Sequence, residues 1–456
     1  MVILFVALRL NLSDAMLNID ELIPLKVSEG MSSRGDLDPN WRLADLPWFW
    51  NIDQYNFYLY NIVAHGVLQA GAWLSAPPLP ALRLANLVFQ VFAFAFCIDA
   101  VRRIGLGRFG LALVGALLTV APGMVQDAGM ARPESLLYLI VALQIWILTL
   151  GLSAQWCGFL FGVILGLGVG IKVSYALAVV MIAVPWAISW RQRPSVEVLG
   201  GAALLCVGTA LGFVAGAPYE VVHPRAFLSG LATLAEQYNF GQPPHSLQSY
   251  DPVSEALWIG RYFIELYGLV PLAALAAPFL LKGSTRNLGA GFVLVWVLLF
   301  VYFAGKAVFY ERNFSFTLIP MLLAVGLATT ALRQNYWRVT AAVVLLLPMG
   351  YWSIQIASAA NDRASLRRFE AMNGLSPSLR LDFADVRANE VPASCQTVAI
   401  EDFNESWTAA YLVMLEGNGF HPIARYRSRF STLVTSTLHT YLDTDVHYFR
   451  CPELRH

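Results

Sequence analysis

Charge is what this sequence has little of. Only 13% of its 456 residues are Asp, Glu, Lys or Arg, against about 25% in a soluble globular domain. The 30 basic and 30 acidic side chains cancel to a formal net charge of zero. There is no polybasic tail or stripe, which excludes a nucleic-acid surface built on phosphate neutralisation. Cysteine is scarce as well: five in all, none at metal-ligand spacing. No internal repeat of the kind common in secondary transporters is evident. The opening run Val2-Ile3-Leu4-Phe5-Val6-Ala7-Leu8 has no small-residue cleavage site of a signal peptide. It is also too short for a full span of about 20 residues. It reads either as a short first helix or as the end of one that starts upstream.

What is present is apolar surface. Hydrophobic residues make up 57% of the chain and mean hydropathy is +0.57. That composition predicts a polytopic α-helical membrane protein. Apolar runs near span length lie at roughly 83–101, 109–125, 135–151, 156–170, 173–190, 197–216, 262–281, 288–304, 314–331 and 339–357. With the opening run they make about eleven transmembrane helices. The stretch Tyr55-Asn56-Phe57-Tyr58-Leu59-Tyr60-Asn61-Ile62-Val63-Ala64-His65 is too polar and aromatic for a lipid-facing span and reads as an interfacial helix. Glycines 162, 166 and 170 have small-xxx-small spacing, a helix-packing signal.

Basic residues in short loops set orientation. Arg102, Arg103 and Arg108 share one loop, Arg191 and Arg193 another, Lys282 and Arg286 a third, and Arg333 and Arg338 a fourth. All four fall on the cytoplasmic side if the stretch near 55–75 does not cross. This parity puts the loop after the opening run, the 127–134 turn, the turn before Lys172 and the 218–260 loop outside the cytoplasm. From about Asn361 charges return, and Pro377, Pro392 and Gly419 punctuate the chain. The expected division is a membrane domain, 1–358, and a small extracytoplasmic α/β domain, 359–456. Within the latter, Thr397-Val398-Ala399-Ile400 and Val446-His447-Tyr448-Phe449 read as strands and Trp407 to Leu415 as a helix.

The residues that could carry chemistry are the few charged ones beside apolar runs on that outer side. Asp20 and Glu21 follow the opening segment, and Glu134 follows Arg132-Pro133 at a span boundary. Lys172 lies between two apolar runs, Lys306 precedes Tyr310-Glu311-Arg312-Asn313, and His245 sits in the long loop. Each alone could be a solubilising loop residue or an interfacial snorkeller. Arg83 and Asp99 read as structural charges. Together, Arg132, Lys172, Lys306 and Arg312 are cations suited to a phosphate or pyrophosphate. Asp20, Glu21 and Glu134 are carboxylates that could take a proton from a nucleophile.

The ordered motifs resemble those of the GT-C membrane glycosyltransferases, in particular the protein O-mannosyltransferase and lipid A aminoarabinose transferase branch. The resemblance covers about residues 1–330. It rests on Asp20-Glu21, Gly35-Asp36-Leu37-Asp38-Pro39, Ala121-Pro122 to Ala131-Arg132-Pro133-Glu134, the Gly-rich run into Lys172, Gly212-Phe213 to Pro218-Tyr219, and Glu311-Arg312-Asn313 before Leu318-Ile319-Pro320. It implies a polyprenyl-phosphate sugar donor and inverting transfer to an acceptor hydroxyl on the extracytoplasmic face of a bacterial inner membrane. The acceptor, whether lipid, glycan or protein, is not specified. Asp20 would be the general base, Glu134 the family's second acidic residue and Lys172 its lysine. Relatives often carry Arg-Tyr where this chain has Arg312-Asn313, a departure at the phosphate site. No cofactor is required, and a divalent ion near Asp20 and Glu134 is compatible with the residues but not demanded by their spacing. A secondary transporter and a non-catalytic scaffold of the same fold are the competing readings.

Cys395 and Cys451 abut the two strand-like runs. Adjacent strands lie about 4.8 Å apart, close to the Cα separation of a disulfide. A domain outside the cytoplasm would allow that bond to persist. A Cys395–Cys451 bond is therefore expected, and Cys97, Cys157 and Cys206 read as small apolar residues.

Overall fold

In the computed structural model the described residues are 1–10, 19–46, 51–192, 196–240, 247, 251–359, 362–382, 395–402, 412–427 and 445–452. Val2–Leu10 (α1), Leu22–Arg34 (α2) and Tyr58–Trp73 (α3) precede the first long helix, Pro78–Ile104 (α4). Gly107–Thr119 (α5) and Pro122–Ala128 (α6) follow, then Glu134–Leu148 (α7), Ala154–Ile171 (α8), Val180–Gln192 (α9) and Val196–Gly216 (α10). Two short helices, Pro218–Val222 (α11) and Pro224–Gln237 (α12), lead to Pro252–Tyr267 (α13) and Val270–Leu280 (α14). Gly283–Ala304 (α15), Ser315–Ala331 (α16) and Asn335–Ala359 (α17) complete the bundle.

Among the described residues, six helices are long and apolar enough to cross a bilayer: α4, α8, α10, α15, α17, and α16 with the turn before it. Two bent pairs, α5 with α6 (53°) and α13 with α14 (93°), raise the number to eight if each is one span. The runs that separate this from the expected eleven are α1, α7 and the stretch 173–189. Each is helical but shorter than a span. The centre of the bundle is α16, buried from Ser315 to Thr329. It packs on α5, α7, α14 and α15.

The α5–α6 bend has a specific cause. Pro122 has no N–H to give to the carbonyl of Leu118, so the last carbonyls of α5 need other donors. Arg9 supplies them: it donates to Leu118 O (3.0 Å) and Thr119 O (3.1 Å), and its Nε bonds Gln90 (2.8 Å). The Ser353 hydroxyl donates to Val120 O at 2.8 Å. Thus α1, short as it is, ties the break to α4.

Helices α8 and α10 run parallel with their backbones almost touching. A Cβ on Gly158, Gly162 or Gly166 would run into the carbonyl of Gly201, Leu205 or Thr209. Gly208 and Gly212 meet Phe159 and Val163 in return. The expected small-residue stripe is therefore half of a two-sided interlock, which fixes where α8 ends and Lys172 begins.

Among the described residues the C-terminal region holds four strands, Leu379–Asp382 (β1), Thr397–Asp402 (β2), His421–Tyr426 (β3) and Asp445–Arg450 (β4), in the order β1-β2-β4-β3. β1 pairs parallel with β2, while β4 is antiparallel to both β2 and β3. Alternation sends Val398 and Ile400 to one face, with Leu415 and Phe449, and Ala399 to the other, with Tyr448 and Leu366. Leu366 belongs to Asp362–Met372 (α18), whose Glu370 accepts the Tyr448 hydroxyl at 2.6 Å. Both expected strands lie within β2 and β4. Of the expected helix, 412–415 is helical and the helix runs on to 417, while 407–411 lies outside the described residues.

Cys395 and Cys451 are bonded, with Cα atoms 5.8 Å apart. In protein taken from intact cells, neither thiol should react with a maleimide until a reductant is added. A loop this long is worth roughly 4 kcal/mol of stability, so reduction should lower the unfolding temperature of this region. Free labelling of both cysteines without reductant would show that the bond does not form in the cell.

Candidate active site

The chain enters the site through a 3-10 turn, Ile19–Glu21, that runs into α2. Adjacent residues on so tight a turn point in different directions. Glu21, fully buried, receives Arg83 Nε at 2.9 Å and Nη2 at 2.6 Å, and the amide N–H of Ala131 at 2.5 Å. It stitches the first loop to α4 and to the 129–133 turn. Asp20 points the other way and pairs with the guanidinium of Arg312, with Arg132 Nη1 at 3.6 Å.

The 129–133 turn is held from below by Asn86, which donates to the carbonyls of Met130 and Arg132. Arg132, 2% exposed, reaches three carboxylates: Asp20, Asp127 at 3.1 Å and Glu134 at 3.6 Å. Glu134 opens α7, where the helix dipole favours an anion. Its second oxygen faces Lys172 Nζ at 3.7 Å. Lys172 caps α8 in extended backbone (φ −151°) and donates to the carbonyl of Arg312 at 3.4 Å. The turn after it is pinned by Tyr175, whose hydroxyl bonds Gln144 at 2.6 Å and whose ring lies where a side chain on Gly168 would be.

These contacts form a chain of alternating charge, Arg312, Asp20, Arg132, Glu134 and Lys172, which closes into a ring where Lys172 donates to the backbone carbonyl of Arg312. Asp127 braces it from α6, accepting the Tyr138 hydroxyl (2.7 Å) and the Ser315 hydroxyl (3.1 Å). Three carboxylates, Asp20, Asp127 and Glu134, face three cations, Arg132, Lys172 and Arg312. A narrow cleft opens beside them, walled by Gln126, Asp127, Tyr267, Glu311, Arg312 and Ser315.

Five of the sequence-derived candidates thus meet: Asp20, Arg132, Glu134, Lys172 and Arg312. Glu21 does not share the cleft; its carboxylate is taken up by Arg83 and Ala131, which makes it a brace rather than a reacting group. Lys306 joins a different group, bonding Asn239 at 3.0 Å over the Tyr302 ring. His245 lies outside the described residues. Arg83 and Asp99 have the structural partners their type suggests, Asp99 pairing with Arg103 and Trp146. The 35–39 motif is loop construction: Gly35 ends α2 at φ +73°, and Arg34 clasps Asp36. That clasp holds the Asp36 carboxyl below its ordinary range, while burial raises Asp38. Asp127 and Glu311 were missed as site residues. A carboxylate just past the end of an apolar run, five residues before a conspicuous arginine, was the available signal for Asp127. Among the described residues no group of three or more His, Cys, Asp or Glu is placed to hold a metal. The ring carboxylates are engaged with cations instead.

No protein-family model matches the sequence, and none of the curated proteins does. Solved structures do match in fold. ArnT from Cupriavidus metallidurans bound to undecaprenyl phosphate aligns over 98% of this chain and 96% of its own, with TM-score 0.55 and 13% identity. The apo state of the same protein aligns over 97% and 96%, with TM-score 0.52 and 12% identity. The match spans both the helical bundle and the C-terminal region, and the chain is therefore a polytopic helical membrane protein with the GT-C fold.

Proposed function

We propose that the chain is a membrane glycosyltransferase that moves a sugar from a polyprenyl-phosphate donor to an acceptor hydroxyl, with inversion, on the extracytoplasmic face. The observation that carries this reading is the ring of three cations and three carboxylates beside an open cleft, in a fold shared with a protein solved with undecaprenyl phosphate bound. The chemistry follows from the ring. A lipid phosphodiester brings one negative charge and competes with carboxylates for guanidinium. Arg312 and Lys172, at 16% and 11% side-chain exposure, are the most accessible ring cations and are the ones it would reach. As Arg312 turns to phosphate, Asp20 loses a pairing partner and gains proton affinity. Asp20 then takes the acceptor hydroxyl proton while that oxygen bonds to the anomeric carbon. The anomeric carbon–oxygen bond breaks, and its electron pair leaves on the lipid phosphate. Lys172 and Arg312 meet the charge that develops there. Attack and departure on opposite faces invert the centre.

The loop parity described above supports placing the ring and the 359–456 domain outside the cytoplasm. A charge cluster gathered at one end of the bundle favours a transferase over a transporter with midplane groups.

The test uses purified full-length protein in nanodiscs and polyprenyl phosphate as probe. Wild type should bind it, and Lys172→Ala should weaken that binding by roughly 10–100-fold, the worth of a charge-assisted hydrogen bond. Lipid-phosphate binding that is absent in wild type, or unchanged in Lys172→Ala, would remove the donor assignment.

A further inference from the structure

A second cleft lies across the backbone from the charge ring, and the ring chemistry does not use it. It is a narrow cleft, open on one side, between the 54–56 loop, the end of α8, α11 and α12. Lys172 is the single extended residue between α8 and the 3-10 turn that begins at Val173. Lys172 reaches the ring while Ile171 and Val173 line this cleft. The opposite wall carries Gln54, Asn56, Phe227 and Glu220. Glu220 is 4% exposed, and its Oε2 has no hydrogen-bond partner. An unpartnered buried carboxyl oxygen costs stability, so its retention at a cleft wall calls for a ligand.

The cleft is built, not incidental. The 54–56 loop is fixed by Trp41 N–H to Gln54 O (3.0 Å), Asn40 Oδ1 from Gln54 N–H (3.1 Å) and Phe57 N–H to Ile171 O (3.1 Å). Gly230 lets α12 approach that loop, since a Cβ there would sit 2.8 Å from Asp53 O. Burial pushes the Glu220 carboxyl up to about 8, so at neutral pH it holds its proton and is a donor as well as an acceptor. A neutral carboxyl, two amide side chains and an aromatic ring suit an uncharged polyol and offer nothing to a phosphate.

We propose that this cleft is a sugar subsite, in which Glu220 hydrogen-bonds a hydroxyl of a neutral glycosyl ring. The inference rests on the transferase reading and assigns a residue that reading leaves idle. The ring could belong to the lipid-linked donor or to a glycan acceptor; the chemistry is the same, and the experiment separates them.

Binding to nanodisc-held protein is measured in two arms. One compares bare polyprenyl phosphate with polyprenyl-phosphate sugars. The other titrates a panel of methyl glycosides into protein already holding bare polyprenyl phosphate. Wild type should gain affinity from at least one sugar in one arm, and that arm names the source. Glu220→Leu should lose about five- to tenfold of that gain with bare-lipid binding unchanged. Glu220→Gln, which keeps a neutral hydrogen-bonding group, should retain most of it. Raising pH through about 8 should erode the gain in wild type and not in Glu220→Gln. That control isolates Glu220 from the other titratable groups nearby, Asp38, Asp53, Tyr55, Tyr58, Tyr219 and His223. A sugar gain equal in wild type and Glu220→Leu, or none in either arm, overturns the subsite. Failure of bare lipid to bind wild type would instead strike the transferase reading.

Discussion

Asp20→Asn should leave a folded protein that binds polyprenyl phosphate more tightly than wild type and transfers sugar about 10²–10⁴-fold more slowly. The rate loss is that of removing a positioned general base. The tighter binding follows from the ring's charge balance. Asparagine keeps size and shape but removes the negative charge that Arg312 and Arg132 share, so both guanidiniums become available to phosphate. Opposite movement of affinity and turnover distinguishes a base from a structural residue, whose loss would weaken both. Equilibrium binding and single-turnover transfer on one preparation decide the matter. Transfer at the wild-type rate would show that another group takes the proton.

Arg83→Ala should destabilise the protein by about 3–5 kcal/mol, the cost of leaving one member of a buried pair unpaired. Glu21, 0% exposed, would lose both of its Arg83 bonds and keep the Ala131 amide. Because that amide opens the turn bearing Arg132, the ring should loosen as well, and lipid-phosphate binding should fall with stability. The paired change Glu21→Leu with Arg83→Met should recover part of the loss, since an apolar pair of similar volume removes the stranded charge. It cannot recover all, because the Ala131 N–H then lacks its acceptor. Thermal unfolding in detergent reports the first effect. A single-variant change below about 1 kcal/mol would mean that Glu21 finds a substitute partner.

The helical class and the ring residues were legible because a bilayer makes charge conspicuous. Asp20, Arg132, Glu134, Lys172 and Arg312 stand at the edges of apolar runs, and loop parity gathers those edges on one side. What the sequence could not show was direction. Asp20 and Glu21 look equivalent as a dipeptide, but the tight turn sends one to the cleft and the other to Arg83. Lys306 was read as a phosphate cation from proximity along the chain to Arg312, yet Gly305 ends α15 beneath it and turns it towards Asn239. Span counting failed where helices shorten or bend, as at Pro122 and at Gly268, whose φ of +57° breaks α13 from α14. Arg9 was passed over because its partners are carbonyls freed by a proline more than a hundred residues away. In the sheet, β2 and β4 followed from their apolar runs, but β1, four residues long, and β3, which carries Pro422, gave no such signal.

The ring also sets an order of events during synthesis. Its members leave the ribosome as Asp20, Asp127, Arg132, Glu134 and Lys172, and only after three more long or bent helical segments does Arg312 follow. Until then three carboxylates are matched by two cations, and the nascent bundle carries an unbalanced negative charge at the edge of the bilayer. A chain halted before α16 would hold that imbalance permanently, together with an exposed face where the central helix belongs. Arg312 and α16 arrive together, so the residue that neutralises the cluster is delivered by the helix that seals the bundle. Premature termination or slow insertion at that point would present the cell's membrane proteases with a charged, open intermediate.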